Sequence, residues 1–232
     1  MAFGKAKRAV EPPVEPVAWA NVHKFIIDTV ERPETTKRKR AVYGLRAVRV
    51  PKGSMEYRVN APCAYLAPAS RPAAGPSRSH LTLYEDPEAQ SLLCYVGAPT
   101  EVNGERHHVV HDSQGHSIGT LRRIPPKRPF RHTWRIDQPG HPEIVGRNEW
   151  ASGESTKEVV GRAATRVAFG FVTGLVADIA GGNSDQPTNP RTLEWRAEEK
   201  IVMMSEGSRE ITVRAEWVDR RLAFAFALVG DK

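Results

Sequence analysis

From Met55 to the C-terminus, apolar and polar residues alternate in short runs divided by turn residues, the pattern antiparallel strands leave in a sequence. That alternation predicts strands at Met55–Asn60, Leu81–Glu85, Leu92–Val96 and His107–His111, with the Ala-, Pro- and Ser-rich stretch Ala67–Ser79 as a loop. Asp112-Ser113-Gln114-Gly115 predicts a tight hairpin into Ser117–Ile124, because Asp and Gly accept turn dihedrals that other residues resist. Gln138-Pro139-Gly140-His141 predicts the same between Thr133–Asp137 and Glu143–Asn148, and Glu206-Gly207-Ser208-Arg209 turns Ile201–Ser205 into Ile211–Trp217.

Three stretches depart from this texture. Ahead of Met55, Trp19, Val22, Phe25, Ile26 and Val30 fall at helical spacing before Pro33, which predicts one short amphipathic helix in a basic, Pro-rich leader over 1–54. Lys157 to Ile179 carries a broad apolar stripe and reads as the longest helix, stopped by Gly181-Gly182-Asn183. Leu222–Val229 is apolar throughout: as a strand it would set Leu and Phe on one face and Ala on the other, as a helix it would be apolar all round. Periodicity leaves both open, and either state requires dry surroundings at the middle of the core.

Length and charge narrow the picture. At 232 residues with 40% hydrophobic content, one large domain is the default expectation. The formal charge of +7 is unevenly held: residues 1–54 carry 12 Lys and Arg against 5 Asp and Glu, and residues 55–232 carry 22 against 22. The net positive charge therefore lies in the leader, which argues against bulk electrostatic nucleic-acid binding by the folded part. The longest uncharged apolar run, Val167 to Ala177, falls short of the ~20 residues a membrane-spanning helix needs. The basic N-terminus has no apolar segment after it, so a cytoplasmic location is expected, with Cys63 and Cys94 as small buried hydrophobes.

Candidate chemistry is cationic. Arg122, Arg123, Lys127, Arg128, Arg131 and Arg135 give six cations in fourteen residues with no carboxylate until Asp137. Such a stretch is either a solvated face paired with carboxylates such as Glu143 and Glu149, or an anion site in which Arg offers bidentate contacts to phosphate. Lys37, Arg38, Lys39 and Arg40 form a second run, readable as a solvated linker or as an accessory contact to anionic lipid or nucleic acid. Six of the eight histidines lie between His107 and His141. On a strand, His107 and His111 would share a face about 13 Å apart at ~3.3 Å per residue, so surface histidines are expected and no metal site is. No nucleophile elbow, phosphate-binding loop or dinucleotide fingerprint is present, and neither enzymatic activity nor a cofactor is expected.

The order of features carries a resemblance: the hairpin Asp112-Ser-Gln-Gly115-His-Ser-Ile-Gly119, the basic strand Leu121-Arg122-Arg123, then Trp134-Arg-Ile-Asp137, and an all-apolar segment after Asp219. Over residues 55–232 this resembles the tubby C-terminal-like superfamily, which includes the LURP-one-related proteins and phospholipid scramblases. The resemblance implies a mainly β fold, a closed antiparallel barrel of about twelve strands around a hydrophobic C-terminal helix, with Leu222–Val229 as that helix. Residues 150–190 would then be an insertion. The chain lacks a Cys-rich acylation segment and an acidic loop with calcium-ligand spacing, and no phosphoinositide-binding residue of tubby maps onto it by motif.

The expected function is a non-enzymatic binding module, peripheral at the membrane, that uses Arg122–Arg135 on a phospholipid headgroup with help from Lys37–Arg40. The alternatives are a protein-interaction component docking through the leader and inserted helix, and, less favoured, a nucleic-acid-associated factor using the leader.

Overall fold

A computed structural model describes residues 12–67, 81–126, 132–148 and 192–230. Its strands are β1 (Lys24–Arg32), β2 (Val42–Lys52), β3 (Val59–Leu66), β4 (Thr82–Tyr84), β5 (Leu92–Val96), β6 (Thr100–Val102), β7 (Glu105–Asp112), β8 (Ser117–Ile124), β9 (Thr133–Asp137), β10 (Ile144–Asn148), β11 (Thr192–Ala197), β12 (Lys200–Glu206) and β13 (Glu210–Val213). One helix follows, α1 (Arg220–Val229).

All pairings among these strands are antiparallel, in the order β5-β4-β3-β2-β1-β13-β12-β11-β10-β9-β8-β7-β6. A further pairing of Cys94 to Val96 on β5 with Asp112 to Val110 on β7 closes twelve of them into a ring, and β6 hangs from β7 outside it. Closure removes the exposed edges an open sheet would present.

The ring is filled by α1. Asp219 caps the helix, its carboxylate accepting from the Arg221 N–H at 2.9 Å, and every residue from Leu222 to Leu228 is buried. Phe224 meets Phe25 of β1 edge-on at 4.8 Å, and Phe226 meets Trp134 at 5.5 Å and Trp195 at 4.5 Å in the same geometry. A helix wrapped on all sides has no polar face to keep, which is why Leu222–Val229 lacks periodicity. Each enclosed Phe or Leu contributes about 1.5–3 kcal/mol of burial.

Small residues let the strands approach this plug. A Cβ on Gly119 would stand 2.6 Å from the Asp137 carbonyl oxygen and 2.9 Å from both δ carbons of Leu222. Gly115, at φ +84, occupies the left-handed region that the hairpin turn demands.

Several expectations are corrected. The helix expected over Trp19–Val30 is a single 3-10 turn, Trp19–Asn21, and the residues after it form β1. Most of β1 is half-buried on both faces, so apolar residues that match a helical spacing also match a strand, and the β-branched Ile26-Ile27 and Thr29-Val30 pairs favour the latter. The barrel accordingly begins ahead of Met55: β1 pairs with β13, and β2 with β1 and β3. The strand expected at Met55–Asn60 is displaced to β3, whose run Asn60–Leu66 is buried throughout and so shows no alternation. The strand expected at Ile211–Trp217 ends at Val213. The helix over 157–180 and the insertion over 150–190 lie outside the described residues.

Arg49 closes the first hairpin from within. It is 0% exposed; its guanidinium donates to the carbonyls of Asp28 (3.0 Å), Asn60 (3.0 Å) and Leu45 (2.6 Å) and reaches Glu31 at 3.4 Å. Asn60 in turn donates to the Val30 carbonyl at 2.9 Å. The register between β1 and β2 shifts between Asp28 and Val30, and the two polar side chains satisfy carbonyls that this irregularity takes from the ladder.

Candidate functional site

The Asp112–Gly119 hairpin is built by local hydrogen bonding. Asp112 Oδ1 accepts from the N–H groups of Gln114 and His116, both at 2.9 Å. Desolvation opposes the charge on Asp112, but the two N–H donors prevail and hold its carboxyl below the usual range. The hairpin aims β8 so that successive side chains alternate between the plug and the outside.

On the outer face of β8, Arg122 sits among three carboxylates. Its guanidinium is 3.1 Å from Glu105, 2.7 Å from Asp137, and hydrogen-bonded to Glu143. Arg135, opposite it on β9, shares Glu143 with both oxygens at 3.1 Å. Glu105 of β7, Asp137 at the end of β9 and Glu143 in the connection beyond it thus supply these two arginines with internal counter-charges, the carboxylate-paired alternative read from the sequence. Arg123 points the other way, and Lys127, Arg128 and Arg131 lie outside the described residues. Of the three described members of the run, Arg122 and Arg135 thus share one face and Arg123 takes the other.

The second basic run is anchored at one end and open at the other. Thr35 donates through its hydroxyl to the Glu56 carbonyl at 2.8 Å, and Arg38 donates to the carbonyls of Pro33 (3.1 Å) and Arg58 (3.0 Å). Lys37 pairs with Glu56 at 2.9 Å and donates to the Tyr57 hydroxyl at 3.0 Å; those partners raise its pKa above the ordinary value. These bonds fold the connection between β1 and β2 onto the turn between β2 and β3. Lys39, Arg40, Arg46, Lys52 and Arg58 are exposed and make no side-chain ion pair among the described residues.

The same stretch carries apolar side chains that the barrel does not cover: Val42 (44% exposed), Tyr43 (68%), Leu45 (49%), Met55 (75%) and Tyr57 (59%). Of the six large hydrophobic residues that are exposed among the described residues, five fall between Val42 and Tyr57. By sequence, Val42–Arg46 falls in the basic leader, where no exposed apolar stretch is expected. The signal is Val42-Tyr43-Gly44-Leu45-Arg46 itself, whose apolar members require a destination.

The histidines divide. His107 pairs with Glu105 at 3.4 Å, His116 with Asp112 at 3.5 Å, and His111 stacks on Tyr95 at 4.9 Å. His108 departs from the surface expectation: it is 8% exposed, faces inward, and has its ring 6.1 Å from that of Trp134. Burial, then the charges of Arg106 and Arg123, push its pKa below the ordinary value. Cys63 and Cys94 are buried and unpaired, and burial pushes both thiols up to about 12, as suits small packed side chains. Among the described residues no group of three or more His, Cys, Asp or Glu is placed to hold a metal ion, and no helix is long and apolar enough to cross a membrane.

The fold defines a class: a closed twelve-strand antiparallel barrel threaded by its own C-terminal helix, compatible with a tubby-like barrel. No family model matches this chain, and neither a curated protein nor a solved structure matches it.

Proposed function

We propose that this protein is a tubby-like barrel that docks, without catalysing a reaction, onto anionic phospholipid surfaces through the face formed by residues 37–58. The observation that carries the reading is the mixture within that stretch: Tyr43, Leu45, Met55 and Tyr57 are exposed, and so are Lys39, Arg40, Arg46, Lys52 and Arg58, which make no ion pair among the described residues. A membrane interface offers partners for both components, headgroup phosphates for the cations and the acyl boundary for the aromatic and aliphatic side chains. Each cation near an anionic leaflet contributes about 1 kcal/mol, acting over a Debye length of roughly 8 Å at physiological salt.

This reading moves the site away from Arg122 and Arg135, whose charges are matched by Glu105, Asp137 and Glu143. It keeps Lys37–Arg40 and extends them across β2.

Flotation of the full-length protein with phosphatidylcholine vesicles, with and without phosphatidylserine, tests the proposal. Binding should require the anionic lipid, weaken as salt is raised, and drop at least tenfold in K39Q/R40Q/R46Q and in Y43S/M55S. Binding that is indifferent to phosphatidylserine, or unchanged in both variants, would reject it. Loss of an acidic protein partner in the same variants, with vesicles ignored, would transfer the face to protein interaction.

A further inference from the structure

The register across β7, β8 and β9 aligns Arg106 with Arg123, and Arg123 with Trp134. Trp134 is 1% exposed and packs on Phe226 of the plug, so it faces inward. Directly opposed residues on neighbouring strands share a face, and both arginines therefore stand on the inner side of the wall, near the rim toward which α1 runs. One step deeper on the same face are His108, Leu121 and Ile136.

Two like charges set directly opposite each other on adjacent strands repel. Arg106 is partly offset by Glu101 of β6 at 3.0 Å, but that pair is largely exposed and weakly stabilising. Arg123 has neither an ion pair nor a hydrogen bond through its guanidinium among the described residues. The last carbonyls of α1 attract cations toward this end, yet Arg123 donates to none of them. Beneath the pair, His108 Nδ1 is shielded from solvent with no hydrogen-bond partner. The next residue along β8 is the contrast: Arg122, on the outer face, has three carboxylates around it.

We infer that the inner rim of the barrel is an oxyanion site, in which Arg123 and Arg106 clasp a phosphate or phosphomonoester and His108 donates to it from below. An anion there would cancel the cross-strand repulsion, accept paired N–H groups from two planar guanidiniums, and give the stranded imidazole nitrogen a partner. The residues are distinct from those of the lipid-docking face, so either proposal can fail alone.

The experiment follows the thermal unfolding midpoint of the full-length protein as inorganic phosphate is added, with sodium chloride at matched ionic strength as control. Phosphate should raise the midpoint by about 3 °C beyond chloride. R123Q should abolish that response and, with the repulsion relieved, unfold no earlier than wild type in phosphate-free buffer. R123K, which keeps the charge but loses the planar fork, should weaken phosphate binding about tenfold by calorimetry with the phosphate-free midpoint unchanged. K39Q/R40Q/R46Q should respond to phosphate like wild type. Vesicles containing phosphatidate separate the two sources of the group: if R123Q lowers their binding the site takes a lipid-borne phosphate, and if it affects only inorganic phosphate the ligand is soluble. A phosphate effect no larger than that of chloride, or an R123K protein that binds phosphate like wild type, overturns the inference.

Discussion

Gly119 and Leu222 meet so closely that a Cβ on the glycine would lie 2.9 Å from both δ carbons of the leucine. The last residue of the Asp112–Gly119 hairpin motif is thus the place where the wall touches the first turn of the plug, and the motif and the terminal helix are one packing device. Gly119→Ala should destabilise the barrel by about 1–3 kcal/mol, because the Asp137 carbonyl at 2.6 Å is backbone and cannot swing aside. Urea unfolding of Gly119→Ala, Leu222→Ala and the double variant checks it. The double variant should be more stable than the sum of the singles predicts.

Arg49 is held by three carbonyls and one carboxylate with no solvent to replace them. Arg49→Met should cost about 3 kcal/mol or more, since each abandoned buried carbonyl carries about 1–3 kcal/mol of desolvation. Arg49→Lys should recover little of it, because an ammonium cannot span acceptors on β1, β2 and β3 together. Chemical denaturation of both variants measures the difference.

Arg122 stands among three carboxylates on the outer face of β8. Arg122→Gln leaves Glu105, Asp137 and Glu143 facing one another and should destabilise by about 1–3 kcal/mol. Binding to anionic vesicles should be unchanged in the same variant. A stable Arg122→Gln protein that no longer binds vesicles would return the lipid site to β8.

His108 gives the barrel a pH dependence of determined sign. Its folded pKa is depressed, by burial first and then by Arg106 and Arg123, with Glu101 acting in the opposite direction and His107 in the same one. Between that depressed value and the unfolded value of about 6.5, the unfolded chain binds a proton that the folded chain refuses. Stability is therefore unaffected above about pH 6.5 and falls as pH drops through the window below it. Unfolding midpoints from pH 7.5 to 5 should decline in wild type and decline less in His108→Phe. Parallel profiles would remove His108 as the cause.

The sequence by itself determined the local geometry of β8 and β9. Ser117–Ile124 and Thr133–Asp137 are strands with the bounds their alternation and turn residues indicate, because each turn is encoded by neighbours along the chain and each strand has one face in and one face out. It also required Leu222–Val229 to be buried, since nothing on that segment can face water.

Tertiary structure decided the rest. The helical state of that segment follows from being enclosed on every side, a condition no local periodicity records. β1 and β3 escaped recognition for a related reason: strands covered on both faces lose the alternation that announces them. Charge was the least legible property. Arg122, Arg123 and Arg135 look alike in a list of residues, but the pleat turns Arg123 toward the inner rim and leaves Arg122 and Arg135 to carboxylates brought in from β7, the end of β9 and the turn beyond it. Whether a cation is free depends on neighbours that only the strand register supplies.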